Sequence, residues 1–554
     1  MSTTALHDSP LVRAWQRMRT LLLARPWMGT ETLIVGACLY FSLFANGVFW
    51  RAAAPQPLTQ WQWALSLFLL VTAANGVWLT LLVWRRTARV VLSLLVVTSA
   101  LAGHYMAAYG IYIDADMVRN VLHTDWREAS ELAGVDALLP LLATLPALAV
   151  IWRVRLRERT WKRTLALRVA LLAGMVGTAV LGILPVTQPL TAFLRNQREV
   201  RYLVTPANVL VSLAKVVSEE PPGRARTQLP IGEDAVQSPA ATMRRPRLLV
   251  LVVGETARAA NWGLNGYARQ TTPELARRGV LNFPRVTACG SSTEVSLPCM
   301  FSPYGRAQYD EKAIRGHQSV LHVLQRAGVA TLWRDNQSGC KGVCSGLQVE
   351  DMRARQDAAL CNGVRCHDGI LLEGLADAAR RYKGDQVIVL HMLGNHGPTY
   401  FERYPPAFQR FTPVCESSDL GRCSREQIVN AYDNALGYTD HVLARAIDTL
   451  ATLPGYDTAL LYVSDHGESL GESGIYLHGT PYLLAPEQQT HIPFMFWLSP
   501  DYAKNFGVNA QCLRDHAAKN AVSQDNLFST VLGMMDIKSK AYQQQLDILN
   551  ACRH

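Results

Sequence analysis

Residues 248–258 read LLVLVVGETAR, and the reading of the fold turns on them. Six consecutive leucines and valines show no alternation of apolar and polar faces, so the run is expected to be a strand buried on both sides. Four more runs share this character: VATLWR (329–334), QVIVLHML (386–393), TALLYVS (458–464) and IPFMFWL (492–498). Between them, 320–327, 368–382 and 425–452 read as helices. Apolar strands alternating with helices predict an α/β domain with a mainly parallel sheet.

Open α/β sheets carry their sites beyond the carboxyl ends of strands. Those ends are polar here. Glu255 follows the first run in GETARAAN, and Asp465 and His466 follow TALLYVS in DHGESLGE. His391 closes one run, His396 follows in GNHGPTY, and His478 comes later in GIYLHGT. Alone, Glu255 reads as a helix cap and Asp465 as a turn residue. Together, Glu, Asp and His with one hydroxyl oxygen make a four-ligand O/N set that suits Zn²⁺, with Mn²⁺ as runner-up. The hydroxyl comes from CGSSTEVSLPC (289–299), which offers Ser291, Ser292, Thr293 and Ser296 between two cysteines. A metal would activate an otherwise weak hydroxyl nucleophile, and a bridge from Cys289 to Cys299 would hold it in place.

The chain outside this domain has a different solvent. Nearly half of the 554 residues are hydrophobic, 49%. Their longest runs fall near 30–50, 62–84, 88–112, 134–152 and 164–186, each of about the 20 residues a membrane span needs. The first run could pass for a signal peptide, but it is long, lacks a small-residue cleavage site and is followed by four others. A five-span helical bundle is therefore expected. Arg85, Arg86 and Arg89 lie in one loop, and Arg153, Arg155, Arg157, Arg159, Lys162 and Arg163 in another. The positive-inside rule puts these loops and the N-terminus in the cytoplasm, and the domain after the fifth span outside it.

Charge and cysteine usage follow the same division. Residues 1–216 hold 21 Lys/Arg and 10 Asp/Glu, a net +11; the remainder holds 33 and 34, a net −1. The basic balance belongs to the membrane half and is no nucleic-acid footprint. Ten of the 11 cysteines lie beyond residue 288, as Cys289/Cys299, Cys340/Cys344, Cys361/Cys366, Cys415/Cys423 and Cys512/Cys552. An even set, mostly in close pairs, predicts five disulfides and an oxidising compartment. The expected division is 1–189 for the membrane domain, 190–246 for a bridging segment and linker, and 247–554 for the catalytic domain.

Several stretches carry a family resemblance together: GETARAANWGLNGYARQTTP (254–273), CGSSTEVSLPCMFS (289–302), DNQSGCKGVC (335–344), HMLGNHGPTY (391–400) and YVSDHGESLGESGIYLHG (462–479). They resemble the lipid A phosphoethanolamine transferases, inner-membrane enzymes of Gram-negative bacteria that include the mobile colistin-resistance enzymes. The resemblance implies five spans before an alkaline-phosphatase-like periplasmic domain. It implies Thr293 as nucleophile, and Glu255, Thr293, Asp465 and His466 as ligands of one tightly bound Zn²⁺. His396 and His478 match residues that hold phosphate or a second metal, and Ser338 and Lys341 match positions near the bound head group. Asn120, Thr124 and Glu128, at i, i+4 and i+8 on one expected helix face, match polar positions on a helix that reaches toward the zinc site. The implied reaction moves phosphoethanolamine from phosphatidylethanolamine to Thr293 and then to lipid A, making the surface less anionic and polymyxin binding weaker. A monomer is expected. A Kdo sugar or core heptose is the alternative acceptor. Sulfatase chemistry is disfavoured, because Met300 stands where the Cys/Ser-x-Pro-x-Arg motif beginning at Ser296 needs arginine.

Overall fold

The run 248–253 lies at the centre of a seven-stranded sheet. In chain order its strands are β1 (Arg247–Gly254), β2 (Leu281–Phe283), β3 (Ala330–Asp335), β4 (Val349–Asp351), β5 (Gln386–His391), β6 (Asp457–Ser464) and β7 (Phe494–Leu498). The spatial order is β2-β7-β6-β1-β5-β3-β4. This computed structural model describes residues 25–124, 129–130, 132, 134–219, 228–238, 244–355 and 357–553. It divides into two units: Met1–Ala107 with Val135–Val211, and Ala108–Gly134 with Ser212–His554.

In the second unit, all eight residues of β1 are buried, as continuous hydrophobicity demands. Leu249, Leu251 and Val253 join the large core with Leu461, Val463, Phe494 and Phe496. β1 pairs in parallel with β6 on one side and β5 on the other. β7 runs antiparallel to β6, and β2 antiparallel to β7. The sheet is therefore mixed, a correction to the mainly parallel sheet expected. A parallel neighbour needs a crossover long enough to carry the chain back across the sheet. Between β6 and β7 lie a two-stranded hairpin with a 3₁₀ turn at Glu472–Gly474 and the four-residue helix Glu487–Thr490, none long enough to recross the sheet, so β7 starts from the end where β6 stops.

Helices Val320–Arg326 and Arg425–Ala451 lie where expected. The helix expected over 368–382 is broken. A 3₁₀ turn covers Asp368–Leu372 and a helix covers Leu375–Arg380, with Gly374 between them at φ 65°. That left-handed conformation cannot continue a right-handed helix.

In the first unit, Trp61–Leu82, Ala88–Tyr109 and Trp161–Thr191 are long and apolar enough to cross a membrane. Thr30–Ala45 and Gly47–Ala53 form a pair bent by 64°. The bend falls at Asn46, whose Nδ2 donates to the carbonyls of Phe41 and Thr205 at 2.8 Å each, while its Oδ1 accepts from Thr205 N–H at 2.8 Å. The amide thus replaces helix hydrogen bonds that the bend breaks. Among the described residues three helices are of span length, or four with the bent pair, where five spans were expected. The segment expected at 134–152 yields only Leu138–Arg153, about 24 Å of helix against a hydrocarbon core of about 30 Å. Its start is lost to a 3₁₀ turn at Val135–Ala137.

All five expected disulfides form, and Cys38 is the free, buried cysteine. Their sequence separations differ from 4 for Cys340–Cys344 to 40 for Cys512–Cys552. Loop-closure entropy makes these worth about 2 and about 4 kcal/mol respectively. Replacing both cysteines by serine should therefore lower the melting temperature more for the 512/552 pair than for the 340/344 pair, and thermal melts of the two variants check the order.

Candidate active site

Glu255 stands immediately past β1, and Asp465 and His466 immediately past β6, the strand beside it. Thr293 is the first residue of the helix Thr293–Met300, with Ser292 as its extended N-cap. Glu255, Asp465 and His466 are 0% exposed and Thr293 is 5% exposed. One ligand atom from each of Glu255, Asp465 and His466 lies within 4.8 Å of the others.

Backbone bonds aim these side chains. Asp465 Oδ1 accepts from the N–H groups of Thr256 at 3.1 Å and His466 at 2.7 Å. Its Oδ2 is buried without a hydrogen-bond partner. His466 Nδ1 lies 2.8 Å from the Gly467 carbonyl, so Nδ1 carries the proton and the Nε2 lone pair faces inward. From Nε2, Thr293 Oγ1 is 3.3 Å away, Asp465 Oδ2 3.4 Å and Glu255 Oε1 3.5 Å. Burial pushes the His466 imidazole down to about 4, which keeps it neutral and able to coordinate. Thr293 Oγ1 donates to the Glu255 carboxylate, 3.1 Å from each oxygen. An orphaned carboxylate oxygen, a second carboxylate, a neutral imidazole nitrogen and a hydroxyl around one point fit a divalent cation of zinc's type.

The four hydroxyls of 289–299 are now distinguishable. Ser296 Oγ turns back to accept from Gly290 N–H at 2.8 Å, and Ser291 Oγ donates to the Thr480 carbonyl at 2.5 Å. Ser292 occupies the cap, and Thr293 faces the carboxylates. His478 lies beside His466, ring centroids 4.5 Å apart, and beside His396 at 5.4 Å. Its Nδ1 is 3.4 Å from Glu468 Oε2. Lys341 Nζ donates to Ser338 Oγ at 2.9 Å, and the neighbouring Gln337 Nε2 donates to Glu255 Oε2 at 3.1 Å. Those two expected residues thus adjoin a site side chain, Gln337, that the sequence reading passed over. His391 belongs elsewhere: it is fully buried and paired with Asp335 Oδ1 at 2.7 Å.

The expected polar helix face is shorter than i, i+4, i+8 requires. Helix Ala115–His123 carries Asn120 but stops before Thr124, which is extended (φ −68°, ψ 129°). Thr124 spends its hydroxyl on the Asn120 carbonyl at 2.7 Å. Glu128 lies outside the described residues. His123 of the same helix reaches the helix Thr293–Met300, with Nδ1 3.1 Å from Glu294 Oε1. Burial by itself would raise the Glu294 carboxyl. The His123 hydrogen bond and the charges of Arg315 and Lys341 outweigh it and hold the group below the usual range.

Gln524 also escaped the sequence reading, since a lone glutamine has no motif. It is fully buried. Its Oε1 accepts from Cys289 N–H at 2.6 Å, and its Nε2 donates to the carbonyls of Ser464 at 2.8 Å and Asp465 at 2.7 Å. One amide therefore ties the loop that leads into Thr293 to the loop that carries Asp465 and His466. Gln524→Ala would strand three buried backbone groups, at about 1–3 kcal/mol for each unsatisfied group. The expected result is a lower melting temperature together with a transfer rate reduced at least about tenfold, read from thermal melts and turnover on the same preparation.

Comparisons with known proteins place the chain in a family. Residues 247–537 match the Sulfatase family, and residues 71–220 match the family described as phosphoethanolamine transferase EptA/EptB. The chain is 38% identical over 548 residues to the phosphoethanolamine transferase EptA of Escherichia coli K12, covering 96% of this chain and 98% of that one. It is 38% identical over 467 residues to the phosphatidylethanolamine transferase Mcr-1 of Escherichia coli, covering 82% and 84%. The solved structure of the integral membrane lipooligosaccharide phosphoethanolamine transferase A of Neisseria meningitidis superimposes with a TM-score of 0.88 at 37% identity, over 96% of this chain and all of that one. With near-full-length likeness in both sequence and structure, the chain belongs to the EptA-type phosphoethanolamine transferase family, whose catalytic half is a sulfatase-type domain.

Proposed function

We propose that this chain transfers phosphoethanolamine from phosphatidylethanolamine to lipid A, with Thr293 as the covalent carrier. The observation that supports it most is the position of Thr293 Oγ1, 3.1 Å from both Glu255 oxygens and 3.3 Å from His466 Nε2. Glu255, Thr293, Asp465 and His466 would hold one Zn²⁺. Such an ion supplies Lewis-acid polarisation and a lowered hydroxyl pKa at the site.

The chain's own residues do the rest. The Glu255 carboxylate orients the Thr293 hydroxyl by accepting its proton in a hydrogen bond, which leaves Oγ1 lone pairs for the incoming phosphorus. In the first half-reaction the Oγ1–P bond forms, the bond from phosphorus to the diacylglycerol oxygen breaks, and diacylglycerol leaves with a proton. In the second, a phosphate oxygen of lipid A attacks that phosphorus, the Oγ1–P bond breaks and Thr293 recovers its proton. Lys341 would offset the charge that gathers on the phosphoryl oxygens. His396 and His478 would hold the phosphoryl group, accept the second-step proton or bind a second metal. Ser338, Asn120, Thr124 and Glu128 would contact the head group, the last by its charge on the ammonium.

A lipopolysaccharide-type acceptor is supported by the Neisseria protein, similar over nearly the whole chain and named for lipooligosaccharide, and lipid A is the part of it proposed here. The functional division is residues 1–189 in the bacterial inner membrane with a cytoplasmic N-terminus, 190–246 as bridge, and 247–554 as a periplasmic catalytic domain. The chain would act as a monomer, and lower susceptibility to polymyxin and colistin would follow from the reduced anionic charge. Mass spectrometry of lipid A from cells expressing the chain tests this reading. A phosphoethanolamine adduct on lipid A is expected. An adduct on a Kdo or heptose sugar moves the acceptor, and unmodified lipopolysaccharide overturns the function.

A further inference from the structure

Next to the nucleophile sits a charge that the transfer chemistry does not use. Glu294, the residue after Thr293, is 0% exposed. Its Oε1 lies 2.9 Å from an Arg315 guanidinium nitrogen and 3.1 Å from His123 Nδ1. The same Arg315 nitrogen donates to the Glu294 carbonyl at 2.7 Å. Glu294 Oε2 has no hydrogen-bond partner. Arg315 continues to Glu311 at 3.4 Å. Glu311 pairs with Arg119, whose fully buried guanidinium also meets Asp116 and Glu219 at 2.9 Å each. A run of ion pairs thus leads from the nucleophile's helix to both ends of Ala115–His123.

Stability does not account for this arrangement. A buried ion pair is a weak source of stability, because desolvation cancels most of its Coulomb gain and apolar side chains of equal volume often do as well. A carboxylate in the first turn of a helix is worth only about 0.3–1 kcal/mol. What the pair does fix is distance and orientation. His123 ends the helix that carries Asn120, and Thr124 follows it directly. Glu294 follows Thr293 directly. One hydrogen-bonded contact of 3.1 Å therefore couples the proposed head-group segment to the proposed nucleophile.

We propose that Glu294, acting through His123 and Arg315, is a positioning residue that registers the head-group-binding segment 115–124 against Thr293 and so sets the affinity for the phosphoethanolamine lipid. The proposal rests on the head-group reading of Asn120 and Thr124 given above. It distinguishes Glu294 from a catalytic residue: the carboxylate touches neither the phosphorus nor the ligand set, and its effect falls on donor binding more than on turnover.

The test uses the full chain in lipid nanodiscs. The readouts are diacylglycerol release from phosphatidylethanolamine and hydrogen exchange of the amides of 115–123. Glu294→Gln and His123→Ala are each expected to raise KM for phosphatidylethanolamine about tenfold, with kcat falling less than KM rises and with faster exchange in 115–123. The double variant should be no worse than the more damaging single one, since both remove one contact. A merely structural pair would change exchange or melting temperature and leave KM unmoved, and that result overturns the proposal. So do independent effects that multiply to about a hundredfold. If Glu294→Gln does not fold, His123→Ala decides alone, because its side chain is 42% exposed and Glu294 keeps its Arg315 partner at 2.9 Å. Wild-type protein that releases no diacylglycerol would refute the proposed function instead. The exchange arm would then still report whether the contact holds the segment, and unchanged exchange in both variants would refute the coupling itself.

Discussion

Thr293→Ala is expected to abolish transfer, with a rate loss on the order of 10⁴-fold or more, because removing a nucleophile eliminates the covalent route rather than weakening it. The fold should survive. Thr293 is one short side chain at the start of an eight-residue helix. Its partner Glu255 keeps the Gln337 hydrogen bond, so the loss should cost about 1 kcal/mol of stability. Thr293→Ser keeps a hydroxyl on the same Cβ and should retain measurable activity. Intact-protein mass spectrometry after incubation with phosphatidylethanolamine is the decisive measurement. Wild type should gain one phosphoethanolamine, and Thr293→Ala none. An adduct that persists in Thr293→Ala would move the nucleophile to Ser291 or Ser292. Ser291 is less well placed, its hydroxyl bonded to the Thr480 carbonyl, and Ser292 sits at the N-cap position just before the helix.

Stripping divalent metal with a chelator should produce a comparable loss, reversed by Zn²⁺ in wild type and irreversible in Asp465→Asn. The site gathers two buried carboxylates, with the orphaned Asp465 Oδ2 3.4 Å from His466 Nε2. An unpartnered carboxylate in a dry interior is expensive, and a bound cation removes that penalty. A ligand at a hundred times its Kd stabilises the folded state by about 2.7 kcal/mol. That corresponds to a fall in melting temperature of roughly 4 °C on chelation for a domain of about 300 residues. Asp465→Asn should melt at the same temperature with and without Zn²⁺. Full activity in metal-depleted protein, with no shift in its melt, would rule out the metal site.

The strands that carry the site were legible because their signal is local. LLVLVV and TALLYVS are continuous apolar runs, and each is followed at once by the polar residues it presents. The cysteine pairs were legible for the same reason, with four of the five bridges closing 10 residues or fewer. The polar face at 120, 124 and 128 was less so, because spacing assumes a helix that the chain ends at His123. One expected span falls short among the described residues, where hydropathy is satisfied but helix length is not, at Leu138–Arg153.

By itself, then, the sequence determined the presence of a membrane half and a disulfide-bonded α/β half, and the residues at three strand ends. Periodicity, apolar run length and cysteine pairing act over a few residues and need no knowledge of the partner. Only the tertiary structure decided that β7 runs antiparallel, that Thr293 rather than Ser291 or Ser296 faces Glu255, and that His123 meets Glu294. It alone showed Gln524 holding Cys289 from 235 positions away. Such contacts leave no local trace, because a buried glutamine or glutamate is chosen by what faces it across the fold.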